Sequence, residues 1–166
     1  MIHLKENPVG IDLLIQKLQK KLNHKISYDG MHSFGRVYLN EIEGKLVPEY
    51  YKGNGEYKEV LLNDRINGNI FFIEDGTTKK KSSQLITPIS LIILLDLEKL
   101  SNINDKRIDE EVKTEIYSII ETEKYFQLDE IIKGNDVLKG FKTDLKEIHP
   151  YCFLRFNGTM RYQGIY

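Results

Sequence analysis

The hydrophobic pattern is sharpest over Ile86–Leu100, ITPISLIILLDLEKL. Read with a period of two, Ile89, Leu91, Ile93, Leu95 and Leu97 share one face, while Ser90, Ile92, Leu94, Asp96 and Glu98 share the other. One face wholly apolar and one mixed predicts a strand in the middle of a sheet, with a helix over the apolar side. The pattern then changes period. Ile108, Val112, Ile116, Ile119 and Ile120 form a stripe at helical spacing, and Asp109, Glu110 and Glu111 fall in the first turns, where carboxylates suit the helix dipole. A polar turn at Ser101–Asp105, with Asp105 as N-cap, would join strand to helix.

The chain start carries a second helical stripe. Asn7-Pro8 reads as an N-cap followed by proline at the first helical position, and Ile11, Leu14, Leu18 and Leu22 follow, with Gln16, Lys17, Gln19, Lys20 and Lys21 opposite. The helix should end near Asn23. A basic amphipathic helix can lie on a membrane, but packing on the chain's own sheet is the simpler reading.

Between Ile26 and Glu74 the pattern becomes short β-prone runs: Phe34–Asn40, Leu46–Tyr51, Tyr57–Leu62 and Asn69–Glu74. Glu43-Gly44, Gly53-Asn54-Gly55 and Asn67-Gly68 separate them. Pro48 places the second run at an edge or a bulge, since proline cannot donate to a ladder. Tyr50, Tyr51 and Tyr57 cluster here and could cover the sheet, line an interface or stack bases. Glu74–Gln84 has no apolar residue and reads as a solvated loop carrying Lys79, Lys80 and Lys81.

Leu128–Lys133 reads as a short helical turn. Pro150–Tyr162 alternates again, with Cys152, Leu154, Phe156, Met160 and Tyr162 on one side, and predicts a long strand beside the central one. The whole is an α+β chain: a mainly antiparallel sheet packed against an N-terminal helix and one long helix at about 107–124, in a single domain spanning 1–166.

Composition narrows the function classes. A net charge of −1 gives no whole-chain reason to bind nucleic acid or an anionic membrane, although a local patch could. The longest apolar run is well short of the roughly 20 residues of a membrane helix, and the opening MIHLKENPVG is too polar for a secretory h-region. With a single cysteine, Cys152, no internal disulfide is expected, which suits a reducing compartment.

No catalytic signature emerges. His3, His24, His32 and His149 lie far apart in sequence, without the close spacing of a zinc site, and no nucleophile elbow, phosphate-binding loop or dinucleotide glycine pattern occurs. Hence no catalytic residue, metal or cofactor is expected. Scattered Asp96, His149 and Cys152 would form a site only if the fold gathered them in one pocket.

The order of elements, with TPISLIILLDLEKL leading into RIDEEVKTEIYSII and the closing IHPYCFLRFNGTMRY, resembles the tail-terminator and head-tail neck proteins of tailed bacteriophages, of the type found in Bacteroidetes phages and prophages. That resemblance implies a non-enzymatic virion protein that forms a homo-oligomeric ring, a hexamer being the expected size. Its partners would be tail-tube and connector proteins, with non-specific DNA nearby and no membrane. Strand edges and loops would make the contacts, placing Pro48 and Lys79, Lys80 and Lys81 among the candidates. Tyr50 and Tyr51 join them as aromatics. Ile92 and Leu94 join because the half-polar face of the central strand needs cover from the Ile11–Leu22 helix or an adjoining subunit. The alternative is a nucleic-acid-binding accessory protein using the lysine loop, Arg36 and the tyrosines.

Overall fold

A computed structural model describes residues 1–61, 68–100 and 107–163. Its order is α1 (Ile11–Lys25), β1 (His32–Arg36), β2 (Tyr38–Ile42), β3 (Lys45–Gly53), β4 (Glu56–Glu59), β5 (Asn69–Glu74), β6 (Lys79–Lys81), β7 (Gln84–Asp96), α2 (Leu97–Leu100), α3 (Asp109–Glu121), β8 (Phe126–Lys133) and β9 (Tyr151–Gln163). A 3₁₀ turn, Gly134–Leu138, joins β8 to the approach to β9. The fold is α+β. Its main sheet runs β1-β5-β7-β9-β8, with β6 also paired to β7, and a second sheet runs β2-β3-β4.

β7 is the predicted central strand. β9 lies antiparallel to it over its full length, from Gln84↔Gln163 to Asp96↔Tyr151, and β5 takes the other flank. β1 is parallel to β5 at one edge, and β8 is antiparallel to β9 at the other. Alternation along these strands sorts side chains between two cores. Ile70 and Phe72 of β5, Leu91, Ile93 and Leu95 of β7, and Leu154 and Phe156 of β9 meet Ile15, Leu18 and Leu22 of α1 and Val112, Ile116 and Ile120 of α3. The other face carries Phe71, Ile73, Ile92, Leu94 and Phe153, against Phe34, Val37, Val60, Val137, Leu138 and Phe141.

That second core corrects one expectation. Ile92 and Leu94 are fully buried, and their cover comes from the small sheet and the segment after β8, not from α1 or another subunit. The chain closes both faces of its central strand by itself.

Other differences have local causes. α1 starts at Ile11, not at Pro8: Asn7 and Gly10 both have positive φ, at 48° and 57°, and the stretch turns before it coils. Gln19, assigned to the solvent side, is buried, because its amide donates to the carbonyls of His3 and Ser33 at 2.9 and 3.0 Å. Phe34–Asn40 is two strands in two sheets, hinged at buried Val37, and an unbroken β-prone run carries no mark of that change.

β3 is the middle strand of its sheet, so Pro48 is not at an edge. The ladder is repaired from outside. Pro48 accepts the Val60 N–H at 3.1 Å but has no N–H to return, and the buried Asn69 side chain donates to the Val60 carbonyl at 2.6 Å instead. The irregularity in this strand falls between Tyr51 and Gly53.

Leu128–Lys133 is strand, not helix. A bulge between Leu128 and Glu130 adds one residue and turns the expected spacing of two into three, which imitates a helical pattern. Glu74–Gln84 is solvated as expected, but Lys79–Lys81 pairs with Gln84–Ile86 across a two-residue turn at Ser82-Ser83, with Ser82 at φ 59°. It is a hairpin arm and not a loop. Leu97 belongs to α2, where the predicted strand has already ended. Ser101–Asp105 with its cap, Leu62 and Asn67 lie outside the described residues.

Candidate interaction surface

The eight candidate residues separate into three settings. Pro48, Ile92 and Leu94 are buried. Tyr50 is half-buried on the inner face of the small sheet, tilted against Phe34 at 5.1 Å between ring centroids, and belongs to the second core. Tyr51 and the three lysines face solvent.

Tyr51 is one of three tyrosines on the outer face. Tyr51 and Tyr57 are opposed in register, and Tyr38 of β2 completes the group, with centroids 5.0, 6.4 and 6.3 Å apart. They remain 57%, 41% and 52% exposed for Tyr38, Tyr51 and Tyr57, so this end of the face is open, whereas Val47 further along the same face of β3 is buried. Tyr51 is held in place because its hydroxyl accepts the Gly55 N–H at 3.0 Å. Next along the same face lies the row Tyr38, Glu49 and Glu59, cross-strand neighbours in register. Glu49 accepts a hydrogen bond from Asn40 at 2.7 Å. Burial and the neighbouring Glu49 charge push the Glu59 carboxyl up, with Lys142 opposing.

On the inner side the fold gathers two histidines that the sequence separates. Residues 1–3 run beside β1, with Ser33 N–H donating to the Met1 carbonyl and His3 N–H to the Ser33 carbonyl, at 2.9 and 2.8 Å. His3 Nε2 then lies 3.0 Å from His32 Nδ1, and the His3 ring stacks on Phe34 at 4.6 Å. Burial, then the charges of His32 and Lys58, push His3 down to about 4. Burial, then Lys58, lowers His32 as well. A hydrogen bond between two rings needs one nitrogen bare, so at least one ring of the pair is neutral and double protonation breaks the bond. Only the docking of 1–3 on β1 could reveal this pairing, and no sequence spacing encodes it.

Beside the pair a cleft of about 470 Å³ opens between α1 and the small sheet, lined by Lys5, Gln16, Arg36, Tyr38, Tyr51 and Lys52. Arg36 is committed here. It donates to both Asp12 oxygens at 2.9 and 3.0 Å and to Glu74 at 2.5 Å, which pins β1 to α1 and raises its already high pKa.

Asp96, His149 and Cys152 do not converge. The Asp96 carboxylate accepts the Glu98 N–H at 3.0 Å and caps α2, while His149 is exposed. Cys152 is buried, and that burial pushes its thiol up to about 11, away from the reactive thiolate. Among the described residues no cluster of His, Cys, Asp and Glu has metal-binding geometry, and no helix is long and apolar enough to cross a membrane.

No family model, curated protein or solved structure matches this chain.

Proposed function

We propose that this protein is a virion structural protein of a tailed bacteriophage, forming a ring at the head-tail junction or tail end as a tail terminator or neck protein. The observation that carries the reading is the division between core and surface. Both faces of the main sheet are covered from within, yet two chemically distinct features stay in solvent: the lysine arm at β6 and the tyrosine-carboxylate face of β2-β3-β4. Protein-protein contacts use such exposed aromatics and charged rims. The resemblance of Thr87–Leu100, leading into Arg107–Ile120, and of the closing strand to head-tail proteins points the same way. In this role the chain works by assembly, needs no cofactor, and resides in the virion and, during assembly, in the host cytoplasm.

Light scattering after size exclusion, with imaging of purified particles, tests the proposal. A ring, or incorporation at the end of a tail, is the expected result. A strictly monomeric protein absent from particles overturns it.

The nucleic-acid reading draws on the same lysines, but the intended partners lie apart. Tyr50 is in the core, Tyr51 and Tyr57 stand beside carboxylates that repel phosphate, and Arg36 is held by Asp12 and Glu74. It requires salt-dependent DNA binding that weakens when Lys79, Lys80 and Lys81 are replaced.

A further inference from the structure

The arm and the open sheet face are complementary in charge. On the arm, Lys79, Ile86 and Arg161 stand in one cross-strand row of β6, β7 and β9, and alternation puts Lys81 on the same side. All three lysines and Arg161 are exposed. On the small sheet, Glu49 and Glu59 oppose each other directly, an arrangement of like charges that Asn40, donating to Glu49, and the nearby Lys142 offset only in part, since the Glu59 carboxyl is still raised. Three tyrosine rings border them, with faces that attract ammonium and guanidinium groups. Arm and face belong to different sheets, so a contact joining them across two molecules uses two different patches, and such heterologous contacts close into rings or run on as filaments.

We propose that copies of this chain associate head to tail, the Lys79–Lys81 arm of one seated on the Tyr38, Tyr51, Tyr57, Glu49 and Glu59 face of the next. This rests on the ring reading and specifies its contact. Lys79 and Lys81 pair with the carboxylates, and the aliphatic stems and Ile86 lie over the tyrosines. The occupant is a second copy because the required chemistry, a cationic strand with an open edge, is present on the chain itself.

Charge exchange tests the contact. The variant K79E/K80E/K81E changes exposed side chains and should keep the wild-type circular dichroism and melting temperature. In E49K/E59K the replaced carboxylates are half-buried, so its circular dichroism is compared with wild type first, and E49Q/E59Q, which keeps their shape, is the second variant that should weaken assembly. Wild type should assemble by light scattering, each variant alone should weaken assembly at least tenfold, and an equal mixture should restore it, since reversed arms then meet reversed faces. The variant Y51A/Y57A should weaken assembly without any rescue by mixing. Variants that assemble like wild type, or a mixture that stays apart, overturn this contact while leaving the ring reading to another surface. A wild type that remains monomeric at the highest attainable concentration removes both.

Discussion

At the scale of single residues, Asn69 and Pro48 act as one unit. Asn69→Ala leaves the Val60 carbonyl buried without a donor and should cost about 1–3 kcal/mol in denaturant unfolding. Pro48→Val, which offers the missing N–H, should recover part of that loss in the double variant. An additive double variant would show that the two positions are unrelated. His3 supplies a pH dependence. Its folded pKa of about 4 lies below the ordinary 6.5, so the unfolded chain binds the proton more readily between those values. Stability from this site is therefore full above pH 6.5 and falls as the pH drops toward 4. His3→Phe, which keeps a ring against Phe34, should flatten that part of a melting-temperature profile. An unchanged slope would assign the dependence to other groups.

At the scale of elements, the β8-β9 pair depends on a glycine. A Cβ on Gly158 would stand 2.3 Å from the Gln127 carbonyl oxygen, beside the bulge, so Gly158→Ala must push one strand off the other. We expect about 1–3 kcal/mol of destabilisation, read from thermal or denaturant melting. A neutral substitution would mean that β8 yields easily. The start of α3 is tied to β8 by Asp109, which pairs with Lys133 and Arg107 and is held well below the usual carboxylate range. A depressed carboxylate stabilises the fold above its unfolded pKa and loses that contribution as acid protonates it. Asp109→Asn should therefore lower stability at neutral pH and reduce the further loss on acidification. Equal losses at neutral and acid pH would contradict the ion pairing.

At the scale of the whole molecule, two cores share one sheet, and the second distinguishes folding from assembly. Ile92→Ala should cost about 2–5 kcal/mol in unfolding, as a truncation in a closed core does, without changing the oligomeric state of the folded protein. Under the head-to-tail contact proposed above, charge reversal on the arm should do the opposite, altering assembly at constant melting temperature. A protein in which Ile92→Ala dissociates the oligomer at unchanged stability would restore this strand to the interface.

Periodicity was enough for the central strand, α3, the last strand and the α+β class, because an element that buries a face must repeat apolar residues at its own period. The lysine run was also visible as a solvated segment, since consecutive charges have no other place. What needed the tertiary structure was whatever depends on two distant segments meeting. A bulge at Leu128 imitates a helix, one run at Val37 serves two sheets, and the ladder gap at Pro48 is closed from Asn69. His3 finds His32 only because residues 1–3 dock on β1. Ile92 and Leu94 had to be covered, and their alternation said so; which part of the chain would cover them is decided by packing, which no local pattern records.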